Sequence, residues 1–163
     1  MALKSDRNEV QTDISFFMNE TATRGGIVSL SAGGSGAAMD QGAALATYTT
    51  ASGVQPLGFL LNDMVSLDLT RQHINQHKDE VQKGGKVTIL RKGYVVTSSL
   101  KCATAPAAGD IAFVTYDGQI ANSGGLPDDT GNLQVGMFLS SMDQDNYAKV
   151  EINLPNAARR INP

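Results

Sequence analysis

An all-β domain of about seven to nine short strands is predicted by three stretches of this chain. In residues 148–154, Ala148, Val150, Ile152 and Leu154 alternate with Lys149, Glu151 and Asn153, the pattern of a strand with one buried and one wet face. In residues 86–118, β-branched and aromatic side chains crowd positions 87–89 and 94–97, as strands prefer. Gly93 interrupts that run in the manner of a bulge or bend. Residues 105–110 carry turn chemistry, 111–116 resume a strand, and Asp117-Gly118 is a hairpin signal. Residues 65–70 alternate as cleanly.

The composition bounds the rest. A chain of 163 residues is long enough for one domain with one core. A net charge of −3 and a pI near 5.2 leave no basic stripe, which argues against nucleic acid as a partner. The single cysteine, Cys102, excludes an internal disulfide and a CxxC knuckle. No apolar run has the length of a membrane span, and the first residues lack the apolar core of a signal peptide, so synthesis and retention in a cytoplasm are expected.

Taken in order, the leader (residues 1–24) is polar apart from Leu3 and the cluster Ile14, Phe16, Phe17 and Met18. Two readings fit it: an anchor that docks on another molecule, or a segment folded back over its own core. Gly25-Gly26 releases a strand over 27–30. Residues 31–38 (SAGGSGAA) read as a loop; no GK[ST] follows, so a phosphate cradle is disfavoured. Residues 43–50 read as a strand ending at the 51–53 turn. Residues 56–64 echo 134–142, with Gly58 matching Gly136, Leu61 matching Leu139 and Met64 matching Met142, as expected of two strands in similar places in a β-core. Residues 71–83 combine a sparse apolar spacing (Leu67, Ile74, Val81) with a Gly84-Gly85 stop. With so little to bury, they read as an extended surface excursion rather than a helix. Residues 121–132 form a polar loop, and Pro155 ends the last strand. The division expected is an arm at 1–24, a β-domain at 25–155 and a tail at 156–163.

Sites for chemistry are few. His73 and His77, four apart beside Asp79 and Glu80, lack the HExxH glutamate and a third ligand, and read as a solvated stretch. Ser98 and Lys101 match SxxK, but that chemistry needs a helix N-terminus where the pattern continues a strand. Lys101 beside Cys102 would lower a thiol pKa, yet a lone cysteine is usually a small buried hydrophobe. Asn19-Glu20-Thr21 is a glycosylation sequon without a secretory signal. No catalytic, metal or cofactor residue is expected.

The sequence of strands and turns carries a resemblance. A glycine-led strand (residues 85–96) runs into Ala107-Ala-Gly-Asp-Ile-Ala-Phe-Val, then Asp117-Gly-Gln-Ile; Gln134-Val-Gly-Met-Phe-Leu and Ala148-Lys-Val-Glu-Ile-Asn-Leu close it. Over roughly residues 53–155 this resembles the capsid decoration, or cement, proteins of tailed bacteriophages. The resemblance implies a small antiparallel β-barrel or β-sandwich with an extended N-terminal arm, commonly a homotrimer. It would sit on the outside of the head between capsomers, stiffening it against packaged DNA. The implied partners are the major capsid protein and further copies of the chain, with no nucleic acid, membrane or small-molecule substrate. Synthesis is implied in the bacterial host cytoplasm. The capsid-contact arm is expected to use Leu3, Lys4, Arg7, Ile14, Phe16, Phe17 and Met18, mobile when free and ordered on the head. The alternative is a tail or fibre module that recognises a host surface glycan. A chain without tryptophan supplies few stacking platforms for one. A small hydrolase is disfavoured by the missing nucleophile–base pair.

Overall fold

The computed structural model describes residues 3–32, 44–48, 56–61, 80–81, 83–122 and 133–154. Among these, the fold is all-β, with twelve strands against the seven to nine expected. They are β1 (Asn8–Asp13), β2 (Phe17–Met18), β3 (Ala22–Thr23), β4 (Ile27–Ala32), β5 (Leu45–Thr47) and β6 (Pro56–Leu60), then β7 (Glu80–Val81), β8 (Ile89–Thr97), β9 (Ile111–Val114), β10 (Ile120–Ala121), β11 (Gln134–Phe138) and β12 (Ala148–Asn153). The excess lies in two-residue strands and in the leader, whose polar sequence gave no strand signal.

Ten strands form one sheet in the order β10-β9-β11-β12-β8-β6-β4-β5-β2, with β1 added on β8. Every pairing is antiparallel except β2 with β5. The sheet does not close into a barrel. β3 and β7 form a separate two-stranded sheet, so the excursion expected at 71–83 ends in a strand at 80–81. The strand expected at 65–70 and the tail at 156–163 lie outside the described residues.

β8 is the hub. Leu90 and Ile89 pair with β6, residues 92–97 pair with β12, and residues 89–94 also carry β1. Gly93 bends the strand, as its sequence position predicts: its φ is +148°, and a Cβ there would overlap the Asn8 carbonyl oxygen of β1. Only glycine combines that backbone angle with so close an approach.

Neighbouring residues of β4, β6 and β8 divide between two cores. Ile27, Phe59 and Leu90 join Val95, Val114, Phe138, Val150 and Ile152 in the larger one. Val28, Leu60 and Ile89 join Met18, Ala46, Val81 and Val87 in the smaller. This is period-two alternation with both faces covered, which explains why 56–60 and 89–90 read as continuous apolar runs.

The leader is part of this packing. Leu3 is 2% exposed in the larger core and Met18 fully buried in the smaller. Lys4 N donates to Val96 O at 2.9 Å, and Met18 N donates to Gly85 O at 2.9 Å. In the free chain the described leader residues thus lie on the protein's own sheet, the second of the two readings the sequence allows. The physical reason is that two large apolar side chains, spaced by an edge strand, find more apolar cover on their own sheet than in water.

The 56–64 and 134–142 echo also has a physical basis. β6 and β11 are both flanked by partners on either side. A Cβ at Gly136 would overlap the Glu151 carbonyl oxygen, and one at Gly58 would overlap the Ile89 side chain. Both glycines let a neighbouring strand come close.

Candidate interaction surface

The groups tested for chemistry come first. Ser98 and Lys101 follow β8 in an extended segment: Lys101 N donates to Ile120 O and Lys101 Nζ lies 3.7 Å from Asp117 Oδ2, with no helix N-terminus. The Cys102 thiol is half-buried with Sγ 3.8 Å from Ile120 O, and burial pushes its pKa up, the opposite of the activation Lys101 would bring. His73, His77 and Asp79 lie outside the described residues. Among the described residues, no three metal-ligating side chains converge.

What the structure does build is a sheet face. β9, β11, β12, β8 and β1 lie side by side in register, so Ile111, Met137, Glu151, Tyr94 and Asn8 form one row. Directly opposed residues point to the same side of a sheet. The residues between them, Ala112, Val95, Val150 and Phe138, are buried, so this row is the outer face. At its β9–β11 end, Ile111, Met137 and Leu139 are each 39% exposed, and Phe113 is half-buried beside them. Toward the middle the surface turns polar: Lys149 Nζ stands 3.9 Å from the Tyr94 ring centroid and 3.7 Å from Asp6 Oδ2. An apolar cluster rimmed by polar side chains is the form of an interaction site.

The turn at 105–110 holds this end rigid. Gly109 N donates to Phe138 O and Phe138 N to Asp110 O, both at 2.8 Å, while Ala107 N donates to Asp110 Oδ2 at 2.9 Å. Gly109 takes φ +100°, which a turn of this shape requires. Between β9 and β10, Gly118 at φ +78° completes the Asp117-Gly118 hairpin, with Thr115 Oγ1 donating to Asp117 Oδ1 at 2.6 Å.

The expected arm residues are scattered rather than gathered into one contact. Leu3 and Met18 face the protein's own cores. Lys4 Nζ donates to Asp143 Oδ2 at 2.9 Å and lies 4.1 Å from the Tyr147 ring centroid. Arg7 Nε lies 2.7 Å from Glu9 Oε1. Phe16 packs on the smaller core, Phe17 is half-buried with Lys86 Nζ 5.9 Å from its ring centroid, and Ile14 is 36% exposed. A cleft of about 340 Å³ is lined by Leu3, Lys4, Ser5, Arg7 and Arg24. Its Lys4 and Arg7 charges already meet Asp143 and Glu9, so it is a poor anion site.

Sequence reasoning missed Ile111, Met137 and Leu139. The available signal was that residues 111–114 are apolar at every position, more than one buried face requires.

The model of the structural cement protein family, described as "Structural cement protein (E217 gp24/Pam3 gp6)", matches residues 6–153. The chain belongs to the phage structural cement protein family. No curated protein matches it. The matched span begins inside the leader and ends with β12, so it takes in β1 as well as the region on which the resemblance rested. Membership carries a structural, capsid-stabilising role in the phage head, with capsid proteins as partners. It is a structural rather than a catalytic family.

Proposed function

We propose that this cement protein binds the outside of the head and docks on the major capsid protein through the β9–β11 end of its outer face. The observation that carries the reading is the apolar cluster of Ile111, Met137 and Leu139 on a stretch of sheet stiffened by the 105–110 turn. Burying such a cluster under a partner contributes through the hydrophobic effect, while its polar rim adds little net energy but fixes orientation. Ile14, Phe16 and Phe17, together with Lys4 and Arg7, are the leader residues left with surface to offer the shell; Leu3 and Met18 are committed inward. On the head the protein forms a homotrimer, as the resemblance implies, so that weak contacts are multiplied by avidity. It is made in the bacterial host cytoplasm and performs no catalysis.

The test is reassembly of the purified protein on heads stripped of it. Met137→Glu places a charge in the apolar cluster without touching either core. It is expected to weaken head binding about tenfold or more, with the circular dichroism spectrum unchanged. Full occupancy by the variant would overturn this docking face.

A further inference from the structure

The ends of the large sheet are capped from within the chain. Beyond β10, Lys101 N donates to Ile120 O and Ile120 N to Ser99 O. Beyond β2, Met18 N donates to Gly85 O and Val87 N to Phe16 O. β1 differs: it is six residues long, it pairs only with β8, and among the described residues no backbone group pairs along its outer side. Five of its six residues are exposed, and Val10, at 64%, is the most exposed large apolar side chain described. An open edge is a template for another strand, and the occupant it accepts is set by side-chain complementarity.

The sequence across β1 is complementary to itself when reversed. In an antiparallel pair centred on Val10, Arg7 stands opposite Asp13, Asn8 opposite Thr12, Glu9 opposite Gln11, and Val10 opposite its own counterpart. Each pair is an ion pair, a hydrogen-bonding pair or an apolar contact, and all recur on both sides of the axis. Arg7, 2.7 Å from its own Glu9, would bridge that carboxylate and the Asp13 of the second copy. Centring on Glu9 would set Glu9 against Glu9, and centring on Gln11 would set Glu9 against Asp13, placing like charges face to face. The pairing of β1 with β8 shifts register twice, between Glu9 and Gln11 and between Gln11 and Thr12, which bends the edge and makes it a poor match for a straight strand. A second copy carries the same bend, related by the axis. We infer that β1 pairs antiparallel with β1 of a second copy of this chain, about a two-fold axis through Val10.

The contact is distinct from the three-fold association proposed on the head. On a shell that has both kinds of axis it would join copies from neighbouring trimers. It would also continue the outer face from one copy into the next, with a β9–β11 cluster at each far end.

The first tests are in solution without heads, where the outcome is independent of capsid docking. In a Cys102→Ser background, Val10→Cys places two thiols at directly opposed antiparallel positions, whose Cα atoms lie about 4.5–5.5 Å apart, within disulfide range. Mild oxidation is expected to give covalent dimers about tenfold or more faster than with Ala105→Cys, an exposed turn position off β1. Arg7→Asp and Asp13→Arg, each alone, set like charges across the axis and should shift sedimentation toward monomer. A one-to-one mixture of the two variants should restore the dimer, as a mixed species with opposite charges at both junctions. A monomeric parent protein, cross-linking no faster than the control, or no rescue in the mixture would each overturn the inference. So would a strand of the capsid protein taking the edge on heads, seen as Val10→Cys cross-linking to the capsid protein instead.

Discussion

Replacing Leu3 by alanine asks whether the leader belongs to the domain's own core or to a partner. In the free protein Leu3 is 2% exposed and its backbone bridges Thr97 at the end of β8. Removing its branched end loses the transfer energy of three carbons and leaves a cavity, which for a buried leucine costs about 2–5 kcal/mol. Met18→Ala deletes a fully buried side chain from the other core, at a similar cost of about 2–5 kcal/mol. The two residues lie in separate clusters, so the effects should add to within about 0.5 kcal/mol. A sum of about 4–10 kcal/mol is comparable with the whole net stability of an ordinary domain, about 5–15 kcal/mol. Deleting residues 1–20 should therefore unfold the protein rather than release a stable β-domain. The assay is urea unfolding of the free protein followed by circular dichroism, with slopes compared to confirm that only the midpoint moves. A loss below about 1 kcal/mol for Leu3→Ala, or a truncated protein that unfolds at the parental midpoint, would refute the reasoning. The leader would then be an arm after all.

Three further outcomes follow from the geometry. Gly136→Ala should destabilise by about 3 kcal/mol or fail to fold, because its Cβ would overlap the β12 backbone; an unchanged melting temperature would show that the strands can separate. The hydrogen bond from Lys4 holds the Asp143 carboxyl below the usual carboxylate range and raises the Lys4 ammonium above the usual lysine value. The Asp143 contribution is thus present above the ordinary carboxylate pKa and lost as pH falls through its lowered folded value. The Lys4 contribution is complete below the ordinary lysine pKa and lost as pH rises through its raised folded value. Both groups are exposed, so the signature to measure is the carboxyl-carbon NMR titration of Asp143, which should move up toward the ordinary range in Lys4→Met; an unmoved curve would discount the pair. Burial of the Cys102 thiol predicts reaction with a maleimide at neutral pH about tenfold slower than a free cysteine, and equal rates would count against its placement.

Much of the sheet was legible in the sequence because its signals are local. β12 announced itself by alternation, β9–β10 by Asp117-Gly118, and the bend in β8 by Gly93. The leader was not legible, since β1 is polar at nearly every position and is held by backbone pairing to β8, which leaves no side-chain pattern. β2, β3 and β7 are two residues each, too short to show a period. The fate of Phe16, Phe17 and Met18 was ambiguous for another reason: an apolar cluster in a polar segment looks alike whether its cover is its own sheet or a neighbour's. The outer apolar cluster escaped notice because cross-strand partners such as Ile111 and Met137 are brought together by register, which only the fold supplies.

The position of β8 also dictates the order in which the chain can fold. β1, β6 and β12 all pair with it, and β1 and β12 come from opposite ends of the described chain. As the protein leaves the ribosome, the leader strand has no partner until β8 has emerged, and β8 lacks one flank until β12 follows. Such long-range closure is slow compared with local pairing. The nascent chain must therefore carry Leu3 and an unpaired leader strand until β8 has emerged, and an open flank on β8 until β12 follows.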